Sequence, residues 1–212
     1  MSWIDITGTI QEGMWHYGPH QPEIKITKIA AIEDGKHDEY AFQFTSLTAT
    51  YLETAAHYYI GERSIDQLNP EDFILDACII KLNPKKFQEP ILVKELEPYT
   101  SQVKPKDALL ISTGWDAYWN KPEYVTQSPY FSPEAMQWVV DRKVALLGAD
   151  MPCFDHKNNP VRVNAILFKP GTLLLAPLVN LKSIPSTRGK LYAFPLKIVG
   201  VCATPCRALV QI

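Results

Sequence analysis

The feature that most constrains the fold of this chain is a set of short apolar runs, each closed off by a polar or turn-forming residue. ILDACIIKL (74–82), ALLISTGW (108–115), VALLGAD (144–150), TLLLAPL (172–178) and YAFPLKIVG (192–200) are the main ones. Their length suits strands rather than helices, and their near-continuous apolar character is that of strands covered on both faces. Three further segments alternate instead: WIDITGTI (3–10), EIKITKIAAI (23–32) and YAFQFTSLTATYLET (40–54). In the last, period-two alternation puts Phe42, Phe44, Ser46, Thr48 and Thr50 on one face. The 17 prolines are spread along the chain and punctuate loops, with no internal repeat or low-complexity linker.

Helices are fewer. SPEAMQWVVDRK (132–143) is the clearest. Ser132 caps it, Pro133 suits the first helical position, Glu134 favours the positive dipole end, and Ala135, Trp138 and Val139 form an apolar stripe with Arg142 at its edge. A shorter helix is expected over 92–97, before Pro98, and a turn of helix over SIDQLNPEDF (64–73). Strands therefore outnumber helices. The expected fold is α/β: one domain spanning 1–212, with a mixed, largely antiparallel sheet flanked by a few helices, and without the regular strand–helix alternation of a doubly wound fold.

Composition closes off several functions. At 212 residues the chain can bury a core without a disulfide or metal. The net charge of −2, with no basic run, argues against nucleic-acid binding. No 18-residue apolar stretch offers a membrane span, and the first residues lack the cationic start and apolar core of a signal peptide, so a cytoplasmic protein is expected. Cys78, Cys153, Cys202 and Cys206 include no C-x-x-C pair, and with five scattered histidines a structural zinc site and disulfides are not expected.

The stretch TATYLETAAHYY (48–59) carries the chemistry. His57 is the best single candidate, because an imidazole with an ordinary pKa near 6.5 suits proton transfer at neutral pH. Glu53 shares strand parity with it but would lie about 13 Å away on an extended strand, so the two meet only if the chain bends. Tyr51 shares that parity and could donate to a developing oxyanion. The bland alternative is a packed His57 bonded to a backbone carbonyl. Cys153 lies near Asp150, Asp155 and His156, which invites a nucleophile reading. Those carboxylates would raise its pKa, and a turn cysteine near solvent is the alternative. Trp15, His16, Tyr17 and His20 form an aromatic, histidine-bearing loop that reads as a pocket cover or as an exposed loop.

Five segments in order resemble the cyclase-like superfamily of metal-dependent hydrolases, which includes bacterial kynurenine formamidase: IDITGTIQEGMWHYGPHQP (4–22), TATYLETAAHYYIGERSIDQLNPEDF (48–73), KDALLISTGW (106–115), FSPEAMQWVVDRKVALLGADMPCFD (131–155) and FPLKIVGVCATPCRALV (194–210). The resemblance implies a swivelling β/β/α fold, a dimer or tetramer, and a loop around Trp15 that helps cover the substrate. It also implies that Thr113, Gly114, Trp115, Lys197 and Arg207 belong to the framework, the two cations making structural ion pairs.

The family signature, His-x-Gly-Thr-His-x-Asp-x-Pro-x-His, aligns with 47–57. Its metal-ligand positions fall on Leu47, Tyr51 and Glu53, its proline on Ala55, and its last histidine, an acid or base, on His57. The two later ligand positions fall on Asn164 and Ala176. Divalent zinc or manganese needs three or four N, O or S donors. Leu and Ala offer none, so neither a metal nor any other cofactor is expected. The expected protein is a metal-independent enzyme on a small aromatic or carbonyl-bearing metabolite, catalysing cyclisation, dehydration, isomerisation or hydrolysis of an activated bond. His57, Glu53 and Tyr51 would be catalytic. Trp15, His16, Tyr17, His20, Leu47, Cys153, Asn164 and Ala176 would line the substrate site. The alternatives are a non-catalytic binder of a metabolite or partner, and a formamide or lactone hydrolase whose metal has moved to Glu53, His57 and a loop histidine.

Overall fold

The structure is a computed structural model; it describes residues 1–212 apart from the side chain of Asp34. Its strands are β1 (Trp3–Asp5), β2 (Lys25–Ala30), β3 (Glu39–Gln43), β4 (Tyr51–Glu53), β5 (Ile74–Lys81), β6 (Pro90–Ile91), β7 (Ala108–Ser112), β8 (Tyr130–Phe131), β9 (Leu146–Ala149), β10 (Leu173–Ala176), β11 (Arg188–Pro195) and β12 (Ala203–Gln211). The α-helices are α1 (Val93–Leu96), α2 (Glu123–Thr126), α3 (Pro133–Asp141) and α4 (Val163–Phe168).

The main sheet runs β1-β12-β11-β5-β7-β9-β10-β4, and β4 also pairs with β12, so seven strands close into a barrel with β1 added at its seam. β5, β7, β9 and β10 are mutually parallel. The remaining pairings of this sheet are antiparallel. The mixed, largely antiparallel core is thus present. Its parallel block is made of the near-continuous apolar runs, because those strands face apolar groups on both sides.

Strand alternation splits the core in two. Leu52, Ile79, Leu110, Leu175, Leu191, Ala208 and Val210 fill the barrel interior. Tyr51, Ile80, Ile111, Leu147, Leu174 and Ala203 point outward, against Met136 and Val139 of α3 and Val163 and Leu167 of α4. Tyr51 and Glu53 alternate with Leu52, so both belong to this outer, helix-facing side.

Helix α3 starts as expected: Ser132 Oγ accepts from Ala135 N at 3.1 Å. The expected helix over 92–97 is α1 followed by a 3-10 turn at Glu97–Tyr99, and SIDQLNPEDF forms 3-10 turns at Ile65–Gln67 and Pro70–Phe73.

Several expectations are corrected. The alternating segment 40–54 is not one strand. It breaks after Gln43, where Thr45 N donates to Thr48 Oγ1 and Ala49 takes φ 54°, before resuming as β4. A side chain that bonds its own neighbourhood competes with the strand ladder. The run 192–200 stops being strand at Pro195, and the chain returns as β12, where no strand was expected. Helix α4 was likewise not expected. Arg207 makes the expected ion pair, with Asp5 at 2.5 Å, but Lys197 makes none within 4 Å among the described residues.

No helix is long and apolar enough to cross a membrane.

Candidate active site

Glu53 ends β4, and Thr54 then turns the chain. Thr54 Oγ1 accepts from Ala56 N at 3.3 Å and so caps a 3-10 turn at Ala55–His57. The turn swings His57 back towards the strand it has just left, and Nδ1 lies 3.2 Å from Glu53 Oε1. The separation an extended strand would impose is closed by one turn. Neighbouring strands hold the position: Glu53 lies opposite Leu174 of β10 and Ala203 of β12, and Thr54 N donates to Cys202 O at 2.8 Å.

These side chains open on a cavity of about 230 Å³, lined by Tyr17, Leu47, Tyr51, Glu53, His57 and Asn164 and by the Pro152–Lys157 segment after β9. The cavity therefore lies beyond the carboxyl end of a parallel strand, the usual place for ligands in such sheets. The wall behind it is tightly fastened. Asp150 accepts from Thr113 N, Thr113 Oγ1 and Gly114 N at 2.6 to 2.9 Å, which ties the end of β9 to the end of β7. Asp155 accepts from Val161 N and Val163 N and holds the loop that leads into α4 and Asn164. Lys157 Nζ donates to Tyr17 O at 3.0 Å and joins that loop to the N-terminal one.

Burial sets the charges. Glu53 is 2 % exposed, and desolvation pushes its carboxyl up to about 8. Desolvation pushes His57, exposed though it is at one edge, the other way, below its ordinary value. Both shifts favour the uncharged form of each partner, although the 3.2 Å approach is also within ion-pair distance. Glu53 makes no aligned hydrogen bond with another side chain among the described residues.

Tyr17 Oη donates to Pro152 O at 2.9 Å, so Tyr51, at 2.9 Å from Tyr17, donates to Tyr17. The Tyr51 proton is thereby engaged within the protein, and burial raises both phenols well above their ordinary pKa. Cys153 faces Val125 O at 3.8 Å, and desolvation pushes its thiol up to about 11, which disfavours a thiolate. Asn164 Oδ1 is buried without a partner.

The cavity thus gathers Tyr17, Leu47, Tyr51, Glu53, His57, Cys153 and Asn164 from the residues singled out in the sequence. Trp15, His16, His20 and Ala176 are not in its lining. Trp15 packs on Tyr17, Trp119 and Tyr124 and supports the wall. His16 lines a neighbouring cleft with Nδ1 on Gly18 O, His20 is exposed, and Ala176 is buried in β10 beside Tyr51. Sequence reasoning missed Lys157 and Phe154 as wall residues and Cys202 as a neighbour of His57. Cys202 meets His57 only in space, and Phe154 and Lys157, though beside the singled-out Cys153, Asp155 and His156, carry no motif of their own.

The residues present do not fit a divalent metal. Leu47 and Ala176 carry no donor, the Tyr51 hydroxyl is held by Tyr17, and among the described residues no three His, Cys, Asp or Glu side chains are grouped to hold an ion. Of the loop histidines, His16 and His20 are outside this cavity, and His156 lines it with Nδ1 accepting from Asn158 N and Asn159 N.

A family model described as "Putative cyclase" matches residues 4–156. The chain belongs to the cyclase family. Among curated relatives of this cyclase-family chain are an isatin hydrolase from Roseibium aggregatum, 23% identical over 91% of this chain and 82% of that protein, and a kynurenine formamidase from Salinibacter ruber, 26% identical over 100% and 98%. Solved structures show the same cyclase fold. Isatin hydrolase A from Labrenzia aggregata superposes with a TM-score of 0.86 at 19% identity, covering 100% of this chain and 93% of that one. A "predicted metal-dependent hydrolase" from Bacillus stearothermophilus gives 0.82 at 21%, covering 99% and 97%.

Proposed function

We propose that the cavity is an acid–base site for a small aromatic or carbonyl-bearing metabolite, with Glu53 and His57 as the two proton-transfer groups. The observation that carries this reading is the buried Glu53 carboxyl, unaligned with any protein partner, 3.2 Å from His57 on the cavity floor. A carboxyl whose pKa lies near 8 holds its proton at neutral pH and can still release it, which suits a general acid. His57 meets the ligand with its free ring edge and is the second polar group of the site. Tyr17, Tyr51, Leu47 and Phe154 offer a largely aromatic and apolar wall for a flat ligand. Cyclisation, dehydration, isomerisation and hydrolysis of an activated bond need only such proton movement. With the metal positions occupied by Leu47 and Ala176, no step is routed through an ion.

The names of the relatives supply the first compounds to try: isatin, whose ring amide is activated by the neighbouring ketone, and the formamide of kynurenine, which is not so activated. Turnover is expected to favour the activated bond. His57→Gln and Glu53→Gln are each expected to lower turnover by about 100-fold or more, while dialysis against EDTA leaves it unchanged. Full turnover in both variants, or loss of turnover on chelation, would overturn the reading.

Asn164 Oδ1, a buried acceptor without a donor, supports a second reading in which the pocket only binds a ligand bearing an N–H or O–H. In that case His57→Ala would change affinity and no turnover would be found. An assembly of two or four chains is part of the proposal. The β2–β3 hairpin, exposed along both strands with Ile29 and Phe42 uncovered, supports it, and light scattering tests it.

A further inference from the structure

His57 is held from a direction that the acid–base pair does not explain. Cys202 Sγ lies 3.4 Å from His57 Nδ1 in hydrogen-bonding alignment, whereas the nearby Glu53 oxygen is within ion-pair distance but not aligned with that nitrogen. Cys202 precedes β12 and is outside the cavity lining. Its carbonyl accepts from Thr54 N at 2.8 Å and from Thr54 Oγ1 at 3.3 Å. Thr54 is also the residue whose hydroxyl caps the turn carrying His57. Cys202 and His57 are therefore both tied to Thr54, and the thiol is carried to the ring by the pairing of β12 with β4.

We infer that Cys202 is the positioning residue of His57: its S–H donates to Nδ1, keeps the ring proton on Nε2, and so presents His57 Nε2–H as the free edge of the imidazole. This rests on the acid–base reading of the cavity only for its consequence in catalysis; the geometry stands without it. An imidazole nitrogen is a far better acceptor than a thiol sulfur, so of the two ways of sharing a proton between Sγ and Nδ1 the S–H···N form is favoured. Burial, and then the neighbouring Glu53 carboxyl, raise the Cys202 pKa, which keeps the thiol protonated and able to donate. Nε2 has no hydrogen-bond partner among the described residues and is the nitrogen left for a ligand. The groups facing the ring are the Glu53 carboxyl, the Cys202 thiol and the Tyr58 ring, 5.3 Å away between centroids. With Nδ1 engaged by Cys202, Glu53 is released to face the cavity, which accounts for its lack of an aligned protein partner.

The test is the tautomer of His57, read from long-range 1H–15N correlations on the 15N-labelled full chain at pH 7.5, with His57→Gln assigning the signals. Wild type and Cys202→Ser, which keeps a donor, are expected to show the Nε2–H form as the major one. Cys202→Ala is expected to raise the share of the Nδ1–H form at least threefold, and Cys202→Val serves the same purpose if the alanine variant does not fold. An Nδ1–H form in wild type, or an unchanged tautomer ratio in the donor-less variant, would overturn the assignment. The measurement needs no substrate. A His57→Gln variant with full turnover would sink the acid–base reading and leave the tautomer result standing.

Discussion

At the scale of single residues, Glu53 is where burial and chemistry conflict. A carboxyl at 2 % exposure is destabilised in its charged form, and the carboxyl is pushed up from 4.5 to about 8. The folded chain therefore holds this proton more tightly than the unfolded chain does. The contribution to stability is fully present below about pH 4.5 and is lost as the pH rises through about 8. The loss amounts to up to about 5 kcal/mol by linkage. Glu53→Gln keeps the shape and removes the titration. Its stability relative to wild type should therefore improve between pH 5 and pH 9, as measured by urea unfolding at the two values. A constant difference would mean that Glu53 is already ionised in the folded protein. The residue identities of this pair were readable in the sequence, and so was the need for a bend between them. The direction of the Glu53 shift was not, because it depends on which atoms surround the carboxyl.

At the scale of elements, the wall of the cavity depends on how β9 meets its neighbours. Asp150 receives two backbone N–H groups and a hydroxyl from the Thr113–Gly114 turn. Desolvation pushes its carboxyl up to about 6, against the opposing pull of the Thr113 and Gly114 donors. Asp150→Ala would leave those buried donors unpaired, and a loss of about 2–4 kcal/mol is expected in chemical denaturation. Gly148 lies within β9 where a Cβ would come 2.8 Å from Leu110 Cδ2, 3.0 Å from Leu178 Cδ1 and 3.2 Å from Leu175 O. Gly148→Ala should cost about 1–3 kcal/mol by overpacking, measured in the same way.

Elements differ in how legible they were. β5, β7, β9 and β10 could be read directly, because strands covered on both faces must be apolar throughout. β12 could not. Pro205 and Arg207 interrupt its pattern, and only its place in the barrel shows Cys206, Ala208 and Val210 facing inward while Arg207 reaches out to Asp5. The segment 40–54 misled in the opposite sense, since its alternation continues through a turn that Thr48 and Ala49 impose.

For the whole molecule, the donor set predicts indifference to chelation. An ion bound only by the folded state raises the unfolding midpoint by mass action, and its removal lowers it. Dialysis of the purified protein against EDTA should leave the thermal midpoint unchanged, and elemental analysis should find far less than one zinc or manganese per chain. A midpoint that falls on chelation and recovers with zinc would mean that Glu53 and His57 recruit a donor from elsewhere.

The sequence by itself determined the family, the predominance of strands, the departure from the family's metal ligands, and the candidacy of His57 and Glu53. Each of these depends on residue identity or on spacing along the chain. Tertiary structure alone decided the closure of the barrel through β12 and β4, and the distribution of the aromatic loop, with Tyr17 in the cavity and His16 and His20 outside it. It also decided the burial that raises the Glu53 carboxyl and the approach of Cys202 to His57. Those outcomes turn on contacts between segments far apart in the chain, such as residues 54 and 202, and on the loss of water around a carboxyl; neither quantity has a local signature in the sequence.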